Sequence, residues 1–162
     1  MTRLRTPRLV LEPLDSTVAA AITAGDLSVL GTAFAPPLAA APDWPHQDTE
    51  DNTLDAMRMV AKNGDPCWLV VADGLVVGEC GTAGPVTDDG DQEIGFGLAA
   101  SCRGRGYGPE VIAALSRHLL ADPAVRRVTA EVRLNNPASS RALEKAGFQR
   151  ERVADGHAYY AL

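Results

Sequence analysis

Residues 103–108 read Arg-Gly-Arg-Gly-Tyr-Gly and lie between an apolar strand-like run and a helix-like run. Three glycines at alternate positions allow a sharp turn and let a ligand approach the backbone closely. We predict that the following helix begins near Pro109, because proline suits the first helical position. The free N–H groups and the positive dipole end of that helix then face the loop. The segment therefore predicts an anion-binding loop, most simply for a phosphate or pyrophosphate, with Arg103 and Arg105 on its rim.

The spacing within this loop narrows the choice of phosphate ligand. No Gly-Lys-Ser/Thr follows it, so it is not a P-loop, and the third glycine of a dinucleotide-binding Gly-x-Gly-x-x-Gly would fall on Pro109. The pattern that fits is Arg/Gln-x-x-Gly-x-Gly/Ala, which Arg103, Gly106 and Gly108 satisfy. This pattern resembles the acyl-CoA pyrophosphate loop of the GNAT N-acetyltransferase superfamily.

Three more segments resemble the same superfamily, in the family's order along the chain. Residues 135–148 contain Asn136-x-x-Ser139 and then Glu-Lys-Ala-Gly-Phe, which is similar to the second GNAT signature. Residues 6–11, Thr-Pro-Arg-Leu-Val-Leu, resemble the opening strand of the branch that acetylates the N-termini of ribosomal proteins, the RimJ/RimL-like branch. Residues 93–96, Glu-Ile-Gly-Phe, look like the central strand of that branch. By this resemblance the chain is identified as a GNAT acetyltransferase of the RimJ/RimL-like branch.

The composition is that of an ordinary globular protein. The chain has 162 residues, of which 46% are apolar and 22% are charged. We therefore expect residues 1–162 to form a single domain. A net charge of −6 and the lack of a Lys/Arg block argue against nonspecific nucleic-acid binding. No apolar stretch approaches the ~20 residues of a membrane span, and no signal peptide is visible. Three cysteines without a Cys-x-x-Cys pattern predict free thiols in a reducing compartment, so we expect a cytoplasmic protein.

Apolar periodicity and turn signals predict a mixed α/β chain. The predicted strands are residues 9–14, 68–72, 75–79, 93–98, 127–133, 148–153 and 157–161, and the predicted helices are residues 16–24, 48–62, 110–120 and 137–146. The proline-rich residues 35–46 are expected to be irregular, and the strand–loop–helix–strand unit at residues 93–133 to be a right-handed parallel crossover. The resemblance implies the GNAT α/β (α+β) fold, with a mixed, mostly antiparallel sheet flanked by helices and a splayed parallel strand pair that holds acyl-CoA.

The resemblance also implies a site for acetyl-CoA as cosubstrate. The pantetheine arm would lie between the splayed strands, and a backbone N–H near Leu98 or Ala99 would contact the thioester carbonyl. Asn136 would contact the pantetheine, although it also fits a helix N-cap followed by Pro137. The cofactor-binding residues expected on this basis are Phe96, Leu98, Ala99, Ala100, Arg103, Gly104, Arg105, Gly106, Tyr107, Gly108, Asn136 and Ser139.

Acetyl transfer to an amine needs a neutral amine, a polarised carbonyl and a stabilised leaving thiolate. Glu93 and Glu131 match positions at which different members of the family carry the base, although either also fits a surface glutamate or a partner for an arginine. Many members carry a tyrosine, the general acid for the leaving thiolate, where this chain has Leu143. The general acid of this chain is therefore unassigned. Ser139, at the family's serine position near the sulfur, is the best remaining hydroxyl.

These residues favour an N-acetyltransferase that moves an acetyl group to a primary amine by direct attack in a ternary complex. The acceptor stays open among a protein N-terminus, an amino acid, a polyamine and an antibiotic. One alternative is a non-catalytic acyl-CoA sensor, which the missing tyrosine favours. Another is a nucleotide-dependent oxidoreductase, but this chain has no acidic ribose-binding residue at the distance that such an enzyme needs. A homodimer is one assembly that the resemblance allows. We expect no metal site, and we expect surface or packing roles for His46, His118 and His157.

Overall fold

In the computed structural model, which describes all residues from Met1 to Leu162, one nine-stranded sheet runs through the chain. The strands are β1 Leu4–Arg5, β2 Val10–Leu14, β3 Ala39–Ala40, β4 Cys67–Ala72, β5 Leu75–Ala83, β6 Asp91–Leu98, β7 Arg127–Arg133, β8 Gln149–Ala154 and β9 His157–Ala161. The helices are α1 Ser16–Thr23, α2 Val29–Ala33, α3 Thr53–Asn63, α4 Tyr107–Leu119 and α5 Pro137–Lys145.

The strand order is β1-β2-β4-β5-β6-β7-β9-β8, with the short β3 added parallel to β5. Along that order every neighbouring pair is antiparallel except β6 and β7, which are parallel. The mixed α/β fold with a mostly antiparallel sheet is therefore confirmed. None of the helices combines the length and the apolar character needed to cross a membrane.

Helices cover both faces of the sheet. Leu98 of β6 packs against Gly108 of α4, whereas the next residue back, Gly97, lies beneath His46, just before α3. Since successive residues of a strand point to opposite faces, α4 and α3 lie on opposite sides of the sheet. The core between these layers is apolar and includes the fully buried side chains of Leu11, Trp68, Leu69, Ile112, Leu115 and Leu143.

Local sequence signals fix several boundaries as expected. Asp15 caps α1 by accepting a hydrogen bond from the Val18 N–H at 2.9 Å. Gly64 ends α3 in the left-handed conformation, with φ of 72°. Asp73 and Gly74 join β4 to β5 with positive φ angles of 50° and 78°, as a type I′ turn requires.

Other boundaries differ from the prediction. The five-residue helix α2 and the two-residue strand β3 are too short to leave a periodic signal, and neither was predicted. Helix α3 begins at Thr53 rather than near residue 48, because the Asn52 side chain caps it by accepting from the Asp55 N–H at 3.1 Å. Helix α4 begins at Tyr107 rather than near Pro109, because Gly106 is its N-cap in the left-handed conformation.

The parallel pair β6–β7 is short, and the two strands then separate. Three residue pairs join them, and the last is Glu93 with Thr129. At this closed end Arg127 binds both carboxylate oxygens of Asp91 at 3.0 Å. Beyond it, β6 continues along β5 as far as Leu98 while β7 continues along β9. The expected splay of the two strands is confirmed, and it opens a gap in the sheet.

Candidate active site

The gap exposes one edge of the β6 backbone. The Ala99 N–H donates to Val77 O at 2.9 Å, so it faces β5 and is not available to a thioester carbonyl as expected. Because backbone N–H groups alternate between the two edges of a strand, those of Leu98 and Phe96 face the gap. Arg103 Nε donates to Leu98 O at 2.9 Å on this same side. Of the two expected carbonyl contacts, the Leu98 N–H is therefore the one available.

The glycine loop beside the gap presents the free end of α4. Gly104 and Gly106 have φ of 74° and 79°, in the region that favours glycine. No side chain caps α4, so its first N–H groups lack a capping acceptor. A Cβ added at Gly106 would lie 3.2 Å from Arg8 Nη2. The loop thus has the backbone shape and free donors that a pyrophosphate needs.

Gly108 also has a packing role that the sequence did not predict. It lies inside the first turn of α4, and a Cβ there would lie 3.3 Å from the Ala142 Cβ on α5. Glycine at this position therefore permits the close packing of α4 on α5, while Gly108 also lines the cavity beside the loop.

The N-terminal segment holds the glycine loop in place. Arg8 Nη1 donates to Arg105 O at 2.7 Å, and the Arg8 guanidinium lies 5.0 Å from the centre of the Tyr107 ring. Glu110 accepts from Thr6 Oγ1 at 2.5 Å and from Arg8 Nε at 2.7 Å. Burial alone would raise the pKa of Glu110, but these hydrogen bonds and the charge of Arg8 outweigh it and lower that pKa. The Thr-Pro-Arg segment thus fastens the first strands to the loop.

A cavity of about 300 Å³ joins the gap to the loop. Nine of the expected cofactor-binding residues line it, namely Phe96, Leu98, Arg103, Gly104, Gly106, Tyr107, Gly108, Asn136 and Ser139. Three do not: Ala99 is buried, Ala100 begins a 3₁₀ turn, and Arg105 turns away to donate to Ser101 O at 3.1 Å. The cavity also takes in residues that sequence reasoning did not select, including His46, Thr49, Asp51, Arg133, Arg141 and Lys145.

Asn136 and Ser139 meet at the start of α5. The Asn136 Oδ1 accepts from the Ser139 N–H at 3.2 Å, so Asn136 caps the helix while it lines the cavity. Leu143 is fully buried in the core, so its position supplies no acid to the site.

The cationic side chains of the cavity fall into two groups. Arg103 is paired with Asp48 through contacts of 2.6 and 2.9 Å, so the expected rim arginine is engaged within the protein. Arg133 is paired with an acidic wall of Glu50 and Asp51. Arg141 and Lys145 line the cavity from α5 and join no salt bridge, which suits a polyanionic ligand. Their spacing of four residues on one helix face was the signal that could have identified them.

The two candidate bases lie in a second cavity, apart from the first. Glu93 and Glu131 line it together, on β6 and β7 near the closed end of the gap. Partial desolvation raises the pKa of Glu93, although the residue is exposed, and the negative charge of Glu131 raises it further. Glu131 Oε1 lies 3.5 Å from His157 Nε2. A carboxylate with a raised pKa suits proton transfer near neutral pH.

One of the three histidines lies beside the first cavity. His46 is buried against the first cavity, and its Nε2 lies 3.0 Å from the Glu79 Oε1 on β5, so of the two expected roles it has the packing one. Sequence reasoning missed this pair because the two residues are 33 positions apart. No group of three or more His, Cys, Asp or Glu side chains is arranged to hold a metal ion.

The chain is similar in sequence to one family of acetyltransferases. The family model described as "Acetyltransferase (GNAT) domain" matches residues 8–149. An uncharacterized N-acetyltransferase of Bacillus subtilis (strain 168), YjdG, is 31% identical over 112 residues, which cover 65% of this chain and 67% of the relative.

The fold is similar to that of solved acetyltransferases. A GNAT-family acetyltransferase from Bacillus anthracis superimposes with a TM-score of 0.66 at 19% identity, over 99% of this chain and 98% of that one. RimL, a ribosomal L7/L12 alpha-N-protein acetyltransferase solved with coenzyme A, gives 0.67 at 19% identity, over 99% and 97%. Aminoglycoside acetyltransferase AAC(6')-Ib, solved with coenzyme A and kanamycin, gives 0.64 at 22% identity, over 95% and 94%.

Gly106→Glu should weaken the binding of acetyl-CoA at least about tenfold, because it places bulk and negative charge in the anion-binding loop. Isothermal titration calorimetry measures this. Gly84→Glu is the matched control, since Gly84 also has a positive φ, 70°, but has open space around it and lies outside the cavity. Unchanged affinity in a folded Gly106→Glu protein would remove the loop from the binding site.

Proposed function

We propose, since this chain belongs to the acetyltransferase (GNAT) family, that it transfers an acetyl group from acetyl-CoA to a primary amine by direct attack in a ternary complex. Residues 1–162 act as one domain in this proposal. The observation that carries it is the gap between β6 and β7, where the unpaired backbone edge of Leu98 meets the free end of α4 in one cavity. These two features suit the two ends of one extended ligand, a thioester and a pyrophosphate.

The charges around the cavity support acetyl-CoA as the acyl donor. Arg141 and Lys145 offer free cations beside the glycine loop, where the phosphates of coenzyme A would lie. Phe96 and Leu98 offer backbone donors to the pantetheine and the thioester carbonyl. Asn136 and Ser139 line the wall between them.

The acceptor is a primary amine of the kind that the RimJ/RimL-like branch uses, a protein α-amine. The Thr-Pro-Arg segment that fastens the glycine loop through Arg8 supports this assignment, because that segment resembles the opening of the branch. Structural similarity alone does not separate the acceptors, since RimL and an aminoglycoside acetyltransferase are about equally similar to this chain. An α-amine also needs little help, because roughly 400 times more of it than of a lysine amine is neutral at pH 7.

The decisive experiment offers wild-type protein a panel of amines with acetyl-CoA and measures thiol release. The panel contains peptides with free α-amines, amino acids, a polyamine and an aminoglycoside. We expect peptides to give the highest kcat/KM. Release with aminoglycoside only would overturn the proposed acceptor, and release with no amine would overturn acetyl transfer in favour of acyl-CoA binding alone.

Glu93 is proposed to take up the amine proton through water. Its side chain shares a sheet face with Gly97, because the two residues are four apart on β6. It also has the raised pKa that a base needs. Glu131 faces the same cavity from β7. Its negative charge repels that of ionised Glu93 and so raises the pKa of Glu93.

Glu93→Gln should lower kcat by about 100-fold at neutral pH. Raising the pH should restore much of the rate, because the amine then loses its proton without help. Steady-state thiol release between pH 6 and 9 measures both effects, with Glu131→Gln expected to lower kcat less. Equal rates for wild type and Glu93→Gln across this range would contradict the role of Glu93.

Ser139→Ala should lower kcat by roughly 10- to 100-fold with little change in the KM for acetyl-CoA. With leucine at position 143, the Ser139 hydroxyl is the proposed hydrogen-bond donor to the developing thiolate. Ser140→Ala is the matched control, because Ser140 is the next residue on α5 but does not line the cavity. Similar kinetics for the two variants would show that the Ser139 hydroxyl has no special part.

A further inference from the structure

Three buried side-chain atoms have no hydrogen-bond partner, and only one of them belongs to a residue of the cavity. They are His46 Nδ1, Thr82 Oγ1 and Ser116 Oγ. Of these residues only His46, whose side chain is 4% exposed, lines the cavity between the glycine loop and the gap. A buried polar atom without a partner costs free energy, so one that persists beside a ligand cavity points to a functional use.

Hydrogen bonds hold both the backbone and the ring of His46. The backbone N–H of His46 donates to Thr53 Oγ1 at 3.0 Å, and the His46 carbonyl accepts from the Thr53 N–H at 3.1 Å. Its Nε2 contacts Glu79 Oε1, while Glu79 also accepts from Trp44 Nε1 at 2.8 Å and from Thr53 Oγ1. Where Nε2 donates to the Glu79 carboxylate, a neutral ring has its lone pair on Nδ1.

The ring lies directly on β6 beside the backbone groups that face the gap. A Cβ added at Gly97 would overlap His46 Nε2, and it would lie 3.2 Å from His46 Cε1 and 2.5 Å from Glu79 Oε1. Only glycine therefore leaves room for this histidine–glutamate pair against the strand. Gly97 is flanked by Phe96 and Leu98, whose N–H groups face the gap. An amine that approaches a thioester at Leu98 from this face of the sheet meets the His46 ring.

We propose that His46 Nδ1 accepts the proton of the acceptor ammonium group and that Glu79 is its positioning residue, an inference that rests on the proposed acetyl transfer. The proton moves to Nδ1, and the neutral nitrogen then forms a bond to the acetyl carbon. The carbon–sulfur bond breaks, and its electron pair stays on sulfur. The second proton leaves the nitrogen and goes to the thiolate, while His46 passes its proton through water to Glu93.

The charged groups around the ring suit this role. Asp48 Oδ1 lies 3.6 Å from His46 Nδ1, beyond hydrogen-bond range, and its side chain is 45% exposed. Asp48 is held by Arg103, and Asp51 lines the same cavity. An ammonium group that reaches Nδ1 therefore also lies beside the Asp48 carboxylate. On the far side, burial raises the pKa of the Cys67 thiol near Glu79 to about 12, so that thiol stays neutral. From β6, Gly97 presents no side chain.

His46 and Glu93 then act in sequence. Glu93 lies four residues before Gly97 on β6, which is about 13 Å at the rise of a strand. His46 is therefore closer to the expected carbonyl contact at Leu98, and Glu93 receives the proton later, through water. Variants of either Glu93 or His46 should regain much of the lost rate at high pH. Only changes at His46 or Glu79 should move the acid limb of the pH profile of kcat/KM.

The test compares His46→Gln with His118→Gln by thiol release, using the best amine of the panel. Glutamine keeps an amide N–H for Glu79 but offers no base at the Nδ1 position. We expect kcat/KM for the amine to fall about 100-fold at neutral pH, with acetyl-CoA affinity unchanged by calorimetry. His118 packs edge-on against Trp68 outside the cavity, so His118→Gln should stay within twofold of wild type.

Glu79→Gln provides a readout that a purely structural role would not move. A carboxylate beside an imidazole favours the protonated ring, so the test asks whether removal of the Glu79 charge makes proton loss easier. The acid limb of kcat/KM should therefore move to lower pH, by about one unit, while the plateau rate falls. A lower plateau without a shift of the limb would overturn the positioning role.

Should His46→Gln fail to fold, long-range ¹H–¹⁵N spectra of wild-type imidazoles decide the matter, with His46 expected as the Nε2–H tautomer. An Nδ1–H tautomer would overturn the proposal. So would an active His46→Gln protein with the wild-type pH profile, which would leave acetyl transfer itself intact. Absence of thiol release by wild type with every amine would instead overturn acetyl transfer, and this inference would fall with it.

Discussion

The separation of β6 from β7 after the Glu93–Thr129 pair governs the rest of this molecule. Buried backbone N–H groups need partners, and a strand that leaves its neighbour in the middle of a sheet loses them on one edge. β6 keeps its other edge paired with β5, which holds it straight while the gap opens. The unpaired edge is therefore rigid and accessible at once, and this combination prepares it to bind an extended ligand as a neighbouring strand would.

Structural features on both sides of the gap reinforce this constraint. On one face, α4 begins at the glycine loop, and the Arg8–Glu110 contacts fix that loop relative to the first strands. On the other face, the buried Glu79 carboxylate collects donors from Trp44, Thr53 and His46 against the bare backbone of Gly97. The groups proposed to bind phosphate and to accept a proton thus lie on opposite faces of one strand, and the gap connects them.

Local signals were sufficient where a few adjacent residues decide the structure. The Asp15 cap, the Asp73-Gly74 turn and the Asn136 cap were readable because each needs partners only two or three residues away. The fold class followed from the order of these elements and from the resemblance of four segments to one family. Nine of the twelve expected cofactor-binding residues line the cavity for the same reason, since they belong to continuous motifs.

What the sequence could not predict depends on distant contacts. The pairing of Arg103 with Asp48 and the placing of His46 on Glu79 join segments separated by tens of residues. The N–H direction of Ala99 is set by its pairing with β5, which no local pattern records. Helix α3 began later than predicted because the acidic residues after 48 read as a first helical turn, whereas the Asn52 side chain caps the helix further on.

Residue-resolved amide hydrogen exchange with and without coenzyme A tests the central claim most directly. The free N–H groups of Phe96 and Leu98, and those of Tyr107 and Gly108 at the start of α4, should exchange quickly in the free protein and become protected when coenzyme A binds. Those of Gly95 and Gly97 face β5 and should be protected in both states. Phe96 and Leu98 amides that exchange at the same rate in the presence of saturating coenzyme A would contradict the account.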